Sequence, residues 1–180
     1  CYPVQEISNG LFSFDLSTAK YKDLLLASVK DVAVGSSDPV KLKFGHAMHR
    51  LVIKYSIDAS STVTAADIVT VCNAKSSCKV DMLSGSLDSS ESSKSQFEAE
   101  GGNVSFMLVP QACSDVEISV KAGEASTTFT VDEKTDAYEN LESGKQLTLT
   151  LTVKADKIEI GDAEIDGWGD QGTVDGEIIM

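Results

Sequence analysis

The feature that most constrains this chain is the strict alternation of apolar and polar residues in several short runs. It is clearest in QLTLTLTVK, residues 146–154, whose apolar positions are Leu147, Leu149, Leu151 and Val153. Because successive side chains of a β-strand point to opposite faces, this spacing gives a strand with one apolar and one polar face. Comparable runs recur between turns rich in Gly, Asn, Asp and Ser, whereas helical spacing is weak. The alternation therefore predicts an all-β fold.

The number of these runs indicates how the strands are arranged. About seven to nine short strands, each with one polar face, are typical of an antiparallel β-sandwich, here of the transthyretin-like, Greek-key kind. The composition shifts at GSSDP, residues 35–39, and the stretch before it is too short to form its own core. We therefore predict a division into residues 1–38 and residues 39–180, with the sandwich in the second part. The serine-rich stretch 84–103 is predicted to be a loop or the tip of an edge hairpin.

The run LKFGHAMHRLVIKY, residues 42–55, requires a change of direction. The apolar residues of the first predicted strand, VKLKF, hold even positions, and those of the second, LVIKYSI, hold odd positions. An uninterrupted strand cannot change parity without turning its core residues toward solvent. A bend or bulge is therefore predicted at residues 45–48.

Two histidines, His46 and His49, lie at this bend and are a candidate metal pair. Residues three apart face the same way only in a helical turn, and no acidic third ligand lies at a useful spacing. A nucleophile formed by Cys113 and a histidine has no supporting motif. The residues favour a structural role, and no metal site, cofactor or catalytic residue is predicted.

Cys72 and Cys78 are the candidate disulfide of this sequence. They flank the short polar segment NAKSS, which is predicted to turn, and the bridge would form in an oxidising compartment. The alternative is that Cys72 and Cys78 are two buried free thiols, which the same spacing allows. The 4 cysteines and 2 histidines show no CxxC spacing and form no obvious zinc set.

The charge balance excludes two classes of partner. The formal net charge is −13, from 28 acidic and 15 basic side chains. Nucleic-acid binding needs a basic footprint, and docking on anionic lipid needs a polybasic patch. No apolar run approaches the roughly 20 residues of a membrane helix, so no embedded membrane segment is predicted.

Six short motifs follow one another in an order that resembles a known family. They are DLLLA from Asp23, FGHAMHRL from Phe44, DMLSG from Asp81, SFMLVPQ from Ser105, SGKQLTLTLTV from Ser143 and KIEIGDAEIDGW from Lys157. Their order is similar to that of the fimbrillin-like family of Bacteroides-type gut and oral bacteria, the subunits of protease-assembled surface pili. The resemblance covers essentially all 180 residues. One departure is Leu147, which stands where the family has an aromatic residue.

The resemblance implies a role for each part of the chain. The family's F-HA motif marks the entry to its C-terminal sandwich, so Gly45, His46 and Ala47 are interpreted as a structural corner. Family members usually carry a complete N-terminal β domain behind a lipid-bearing cysteine. Residues 1–38 resemble a remnant of that domain with its linker, in a truncated or processed chain. The alternative is that Cys1 is itself the lipidated cysteine.

The resemblance also implies a function, that of a structural or adhesive subunit of bacterial surface fimbriae rather than an enzyme. Such a lipoprotein is exported to the cell surface, where it is anchored at the outer membrane or built into fimbriae. Its expected partners are other pilin subunits and a host or bacterial surface ligand. In this family a protease removes an N-terminal strand, and a neighbour's terminal strand fills the groove by β-strand addition. The candidate donor residues here are Val174, Glu177, Ile178, Ile179 and Met180.

Two alternatives accompany this interpretation. The donor residues could instead pair within their own subunit. The protein could also be a carbohydrate-binding accessory module at the cell surface, which would need aromatic side chains clustered on one exposed sheet face. The aromatic content is only 6%, and the tyrosines are scattered.

Overall fold

The computed structural model describes residues 7–19, 22–30, 32, 35, 39–134, 138–155 and 157–167. Within these ranges the fold is all-β, with fifteen strands and three short 3₁₀ turns. None of the described helical turns has the length and apolarity needed to cross a membrane. Several strands have only two residues, which explains why they exceed the predicted number.

Four antiparallel strands form the first layer of the sandwich, called sheet I. Their order is β12 (Ala125–Thr130), β11 (Glu117–Ala122), β5 (Ile68–Lys75) and β8 (Lys94–Glu100). Alternate residues of the central strand β5 are buried, as its sequence predicts. The stretch 84–103 is predicted to be a loop or the tip of an edge hairpin, and the loop prediction is wrong for β8. This strand pairs with β5 along its length at the edge of sheet I, and Phe97 packs against the core.

Four further strands form the second layer, sheet II. Their order is β15 (Ile158–Gly167), β14 (Lys145–Val153), β4 (His49–Ile57) and β9 (Asn103–Leu108). The predicted antiparallel pairing holds except between β14 and β4, which are parallel. Parallel neighbours need a long connection. Here residues 58–144 connect β4 to β14, and they include all four strands of sheet I. The layers confirm the prediction of a β-sandwich.

The two sheets bury one apolar core between them. Residues that are 0% exposed come from both layers, and they include Leu147, Leu149, Leu151 and Val153 of β14, Leu51 and Ile53 of β4, and Ile118 of β11. Burying a side chain of this size stabilises the fold by about 1.5–3 kcal/mol. Tyr55 of β4 crosses the layers, and its hydroxyl oxygen lies 2.7 Å from the Thr70 hydroxyl of β5. Burial raises the pKa of Tyr55 to about 12.

A third, smaller sheet extends the molecule beyond the sandwich. It contains β1 (Leu11–Asp15), β6 (Ser77–Asp81) and β7 (Leu87–Asp88), in that order. Phe12 and Phe14 of β1 are buried in a second apolar cluster with Met48, Val80 and Val109. This cluster therefore joins side chains from both sides of the boundary predicted at residues 38 and 39.

Two short strand pairs and three 3₁₀ turns complete the described fold. The pairs are β2 (Leu25–Leu26) with β3 (Gly45–His46), and β10 (Gln111–Ala112) with β13 (Asn140–Leu141). The 3₁₀ turns are Ala65–Asp67, Cys113–Asp115 and Val131–Lys134.

The disulfide predicted between Cys72 and Cys78 is not formed, since both residues are buried free thiols. The predicted turn at NAKSS is absent because only Ser76 separates β5 from β6, and the alternating burial continues through it. Six residues of extended chain span about 20 Å, whereas a disulfide needs Cα atoms about 4.4–6.8 Å apart. Burial raises the pKa of each thiol to about 12.

Candidate assembly surface

The predicted corner lies where the chain passes from the small pair β2–β3 into sheet II. β3 ends at His46 and β4 begins at His49, with Ala47 and Met48 buried between them. Ala47 donates its backbone N–H to the carbonyl of Leu24 at 2.8 Å. The Ser143 hydroxyl donates to the carbonyl of Ala47, also at 2.8 Å. Hydrogen bonds from two separate segments thus fix the direction of the chain at this point.

His46 faces a carboxylate rather than a second histidine. Its Nδ1 lies 2.9 Å from Oδ2 and 3.2 Å from Oδ1 of Asp23. Asp23 precedes β2, so this contact ties the incoming segment to the corner. Gly144 packs against the backbone of His46. Its φ is +69, and a Cβ atom at this position would lie 3.1 Å from the carbonyl oxygen of His46.

His49 is fully buried and makes a different contact. Its Nδ1 lies 2.9 Å from the carbonyl oxygen of Glu142. Because a carbonyl only accepts, Nδ1 carries the proton, and Nε2 is left buried without a hydrogen-bond partner. Burial lowers the pKa of His49 despite the opposing effect of the Glu142 carbonyl. The imidazole is therefore held neutral.

The two histidines do not converge on one point, since each is committed to its own partner. Among the described residues, no group of three or more His, Cys, Asp or Glu side chains is placed to hold a metal ion. The contacts that these histidines make are those of a packed corner.

The segment directly before the corner differs most from its prediction. Residues 40–44, VKLKF, alternate like a strand but form none in the structure. Their apolar side chains are largely exposed, at 53% for Val40, 47% for Leu42 and 58% for Phe44. No backbone hydrogen bond joins residues 40–44 to another described residue. We call residues 40–44 the free segment.

An open groove of about 400 Å³ lies beside the free segment. Lys43 and Phe44 form one wall, and Leu26 and Met82 contribute apolar surface from β2 and from the end of β6. Leu25, next to Leu26 in β2, and Leu83, next to Met82, are also exposed. Scattered exposed apolar residues are normal in proteins, whereas several that line one groove are typical of an interaction surface.

Some sequence-predicted residues fall elsewhere. The candidate donor residues Val174, Glu177, Ile178, Ile179 and Met180, together with Cys1, lie outside the described residues. The described chain reaches Gly167, where β15 ends at the edge of sheet II. Sequence reasoning missed the exposure of the free segment. The available signal was the pair Lys41 and Lys43, because lysine is common on strands that must not pair freely.

Comparison with known proteins establishes what this architecture is. The profile of the fimbrillin-like family matches residues 1–168, which include every described residue. The chain belongs to the fimbrillin-like family. The predicted resemblance is thereby confirmed. Because members of this family are structural proteins rather than enzymes, membership supports a fimbrial role at the cell surface.

Two crystal structures share the fold of this fimbrillin-like protein. A proposed cell adhesion protein from Bacteroides uniformis has a TM-score of 0.74 at 18% identity, over 93% of this chain and 71% of that one. A second from Bacteroides ovatus has a TM-score of 0.69 at 19% identity, over 93% of this chain and 64% of that one. The fimbrillin-like chain thus spans about two thirds of the length of these two proteins. No curated protein matches the chain.

Proposed function

We propose that this fimbrillin-like protein is a structural or adhesive subunit that joins neighbouring pilin subunits by β-strand addition. In this proposal residues 174–180 are the donor strand. Residues 1–38 are the remnant of an N-terminal β domain, and residues 39–180 carry the sandwich. The protein is placed at the outer membrane as a lipoprotein or within fimbriae, where it also meets a host or bacterial surface ligand.

The observation that carries this proposal is family membership, together with the sequence pattern of the donor residues. In the run VDGEIIM, residues 174–180, Val174, Ile178 and Met180 hold even positions, and Ile179 is the one apolar residue at an odd position. A segment with apolar residues at alternate positions is suited to pair with another chain, because backbone bonds supply affinity and alternate side chains set the register.

Removal of residues 174–180 tests the proposal. Sedimentation velocity of the 180-residue chain at rising concentration is expected to show oligomers, and the shortened chain is expected to stay monomeric. A matched pair of point variants separates strand pairing from apolarity. Ile178→Pro removes a backbone donor and should prevent assembly, whereas Ile178→Val keeps β propensity and should preserve it. Unchanged assembly of the shortened chain would reject the proposal.

A further inference from the structure

The last described strand ends beside the corner. β15 reaches Gly167, which pairs with Lys145 at the start of β14. The residue before Lys145 is Gly144, which packs against the backbone of His46 at the end of β3. His46 directly follows Gly45, and Gly45 lines the groove. The residue that comes next after Gly167 therefore starts close to this groove.

That next residue is Trp168, the only tryptophan of the 180-residue chain. A tryptophan side chain has a large apolar surface, and its burial stabilises a protein strongly. The sandwich core at this end is already packed, because Leu147, which pairs with Ile165, is 0% exposed and Leu141 is 1% exposed. A place that buries Trp168 is therefore to be found outside the sandwich core.

The groove beside the free segment has a lining that suits an indole ring. Phe44 offers an aromatic ring, Met82 a thioether and Leu26 an aliphatic surface. Aromatic pairs and sulfur–aromatic contacts both add to the free energy of burial. Lys43 lines the same groove, and an ammonium group over an aromatic ring gains a cation–π interaction. An aromatic side chain is therefore the occupant that this lining complements best.

The lining also offers an acceptor for the indole N–H, which usually has a hydrogen-bond partner when it is buried. Ser28 is exposed, and its hydroxyl makes no hydrogen bond to another residue that the structure describes. The Asp81 carboxylate, which lines the groove too, already accepts hydrogen bonds from the backbone of Leu83 and from the Ser84 hydroxyl. Ser28 is therefore the better partner for the indole.

We propose that Trp168 docks in the groove of its own chain, between Phe44 and Met82, and covers apolar surface that the described fold leaves open. The occupant directly follows Gly167, so no second copy is needed to supply it. This inference goes beyond the proposed function, because it holds whether or not residues 174–180 act as a donor strand. If they do, the docked indole fixes the point at which the donor leaves the subunit.

The fluorescence of the single tryptophan tests this docking in the full chain, at a concentration at which sedimentation shows a monomer. The folded chain is expected to emit at shorter wavelength than the chain in urea and to be quenched less by acrylamide. Phe44→Asp and Met82→Asp should each shift the emission toward that of the unfolded chain. Leu42→Asp is the matched control, because Leu42 is exposed like Phe44 but does not line the groove. It should leave the emission unchanged, and circular dichroism verifies that each variant folds.

Nuclear magnetic resonance measures the contact itself in a chain with labelled methionine methyl groups. A nuclear Overhauser effect is expected between the Trp168 ring and the Met82 methyl group. Effects to other methionines in place of Met82 would overturn the proposal, as would equal emission shifts from Phe44→Asp and Leu42→Asp. Emission equal to that of the unfolded chain would also overturn it. So would protection of the indole that appears only when the chain self-associates, because the indole would then occupy a second copy.

Discussion

Strand β14 and the free segment have the same alternating sequence pattern, but the apolar side chains of β14 are buried and those of the free segment are exposed. In β14, Leu147, Leu149 and Leu151 alternate with polar residues and are 0% exposed. In the free segment, Val40, Leu42 and Phe44 also alternate with polar residues and are 47–58% exposed. β14 has a neighbour on each side, β4 and β15, whereas the free segment has none among the described residues.

The contrast shows that the face on which a side chain lies and its burial are separate properties, although an alternating sequence suggests both. Alternation sets which side chains share a face, and this depends only on the local backbone. Burial depends on whether another strand and a second layer cover that face, which alternation does not encode. A segment with a strand's alternation that no described strand covers therefore keeps its backbone groups available for a further partner strand.

The largest expected effect lies in the core. Leu149→Ala removes a side chain that is 0% exposed from the centre of β14. The change should lower the free energy of unfolding by about 2–5 kcal/mol, because transfer energy is lost and a cavity is left. Urea denaturation of the isolated chain measures this. A loss below about 1 kcal/mol would show that the core of sheet II is much looser than its burial indicates.

A smaller effect concerns the corner that joins the two regions. His49 is buried with a lowered pKa, whereas in the unfolded chain it titrates near 6.5. Below that pH the unfolded state takes up a proton that the folded state resists, so stability falls as the pH drops. Between pH 7.5 and 5.5 the loss should approach about 1 kcal/mol.

The matched variant for this pH effect is His49→Gln, which has no titrating ring. Urea midpoints at both pH values should show a flatter pH dependence for the variant than for the parent. Equal slopes would mean that the buried imidazole takes up a proton in the folded state as readily as in the unfolded one.

The smallest effect is expected in the free segment. Leu42→Ala removes the same atoms as Leu149→Ala, but from a side chain that is 47% exposed. The monomer should lose less than about 0.5 kcal/mol of unfolding free energy in the same urea titration. A loss comparable with that of Leu149→Ala would place Leu42 in the monomer's own core and remove the contrast.

The sequence predicts the sandwich well where burial and alternation agree. The runs that become β1, β4 and β14 are strands in the structure, since each carries large apolar residues on one face. The parallel pairing of β4 with β14 could not be predicted, because a half-buried strand alternates in the same way whatever the direction of its neighbour.

The misread turn between Cys72 and Cys78 has a physical cause. NAKSS lacks large apolar residues, which is typical of a turn, but its inward positions are the small residues Ala74 and Ser76. The Ser76 backbone is held on both sides, donating to Ser93 and accepting from Leu16. These small side chains let the extended chain continue from one apolar cluster to the other. The size of one or two inward side chains is too weak a signal to distinguish a continuing strand from a turn in a single sequence.

Less of the assembly surface could be predicted. The change from even to odd apolar positions predicted where the chain bends. The residues that hold the bend could not be predicted, because Asp23 lies 23 residues from His46 and Glu142 lies 93 residues from His49. The groove is lined both by Leu26 of β2 and by Met82, which directly follows β6, and these residues lie 56 positions apart in the chain. Contacts between such distant residues follow from the complete fold rather than from any local pattern.

Amide hydrogen exchange of the monomer tests most directly the contrast between β14 and the free segment. Amides of residues 40–44 should exchange about as fast as in an unfolded peptide, while those of β14 stay protected. Strong protection of residues 40–44 in the monomer would contradict this account, because it would show that the segment already pairs with a strand of its own chain.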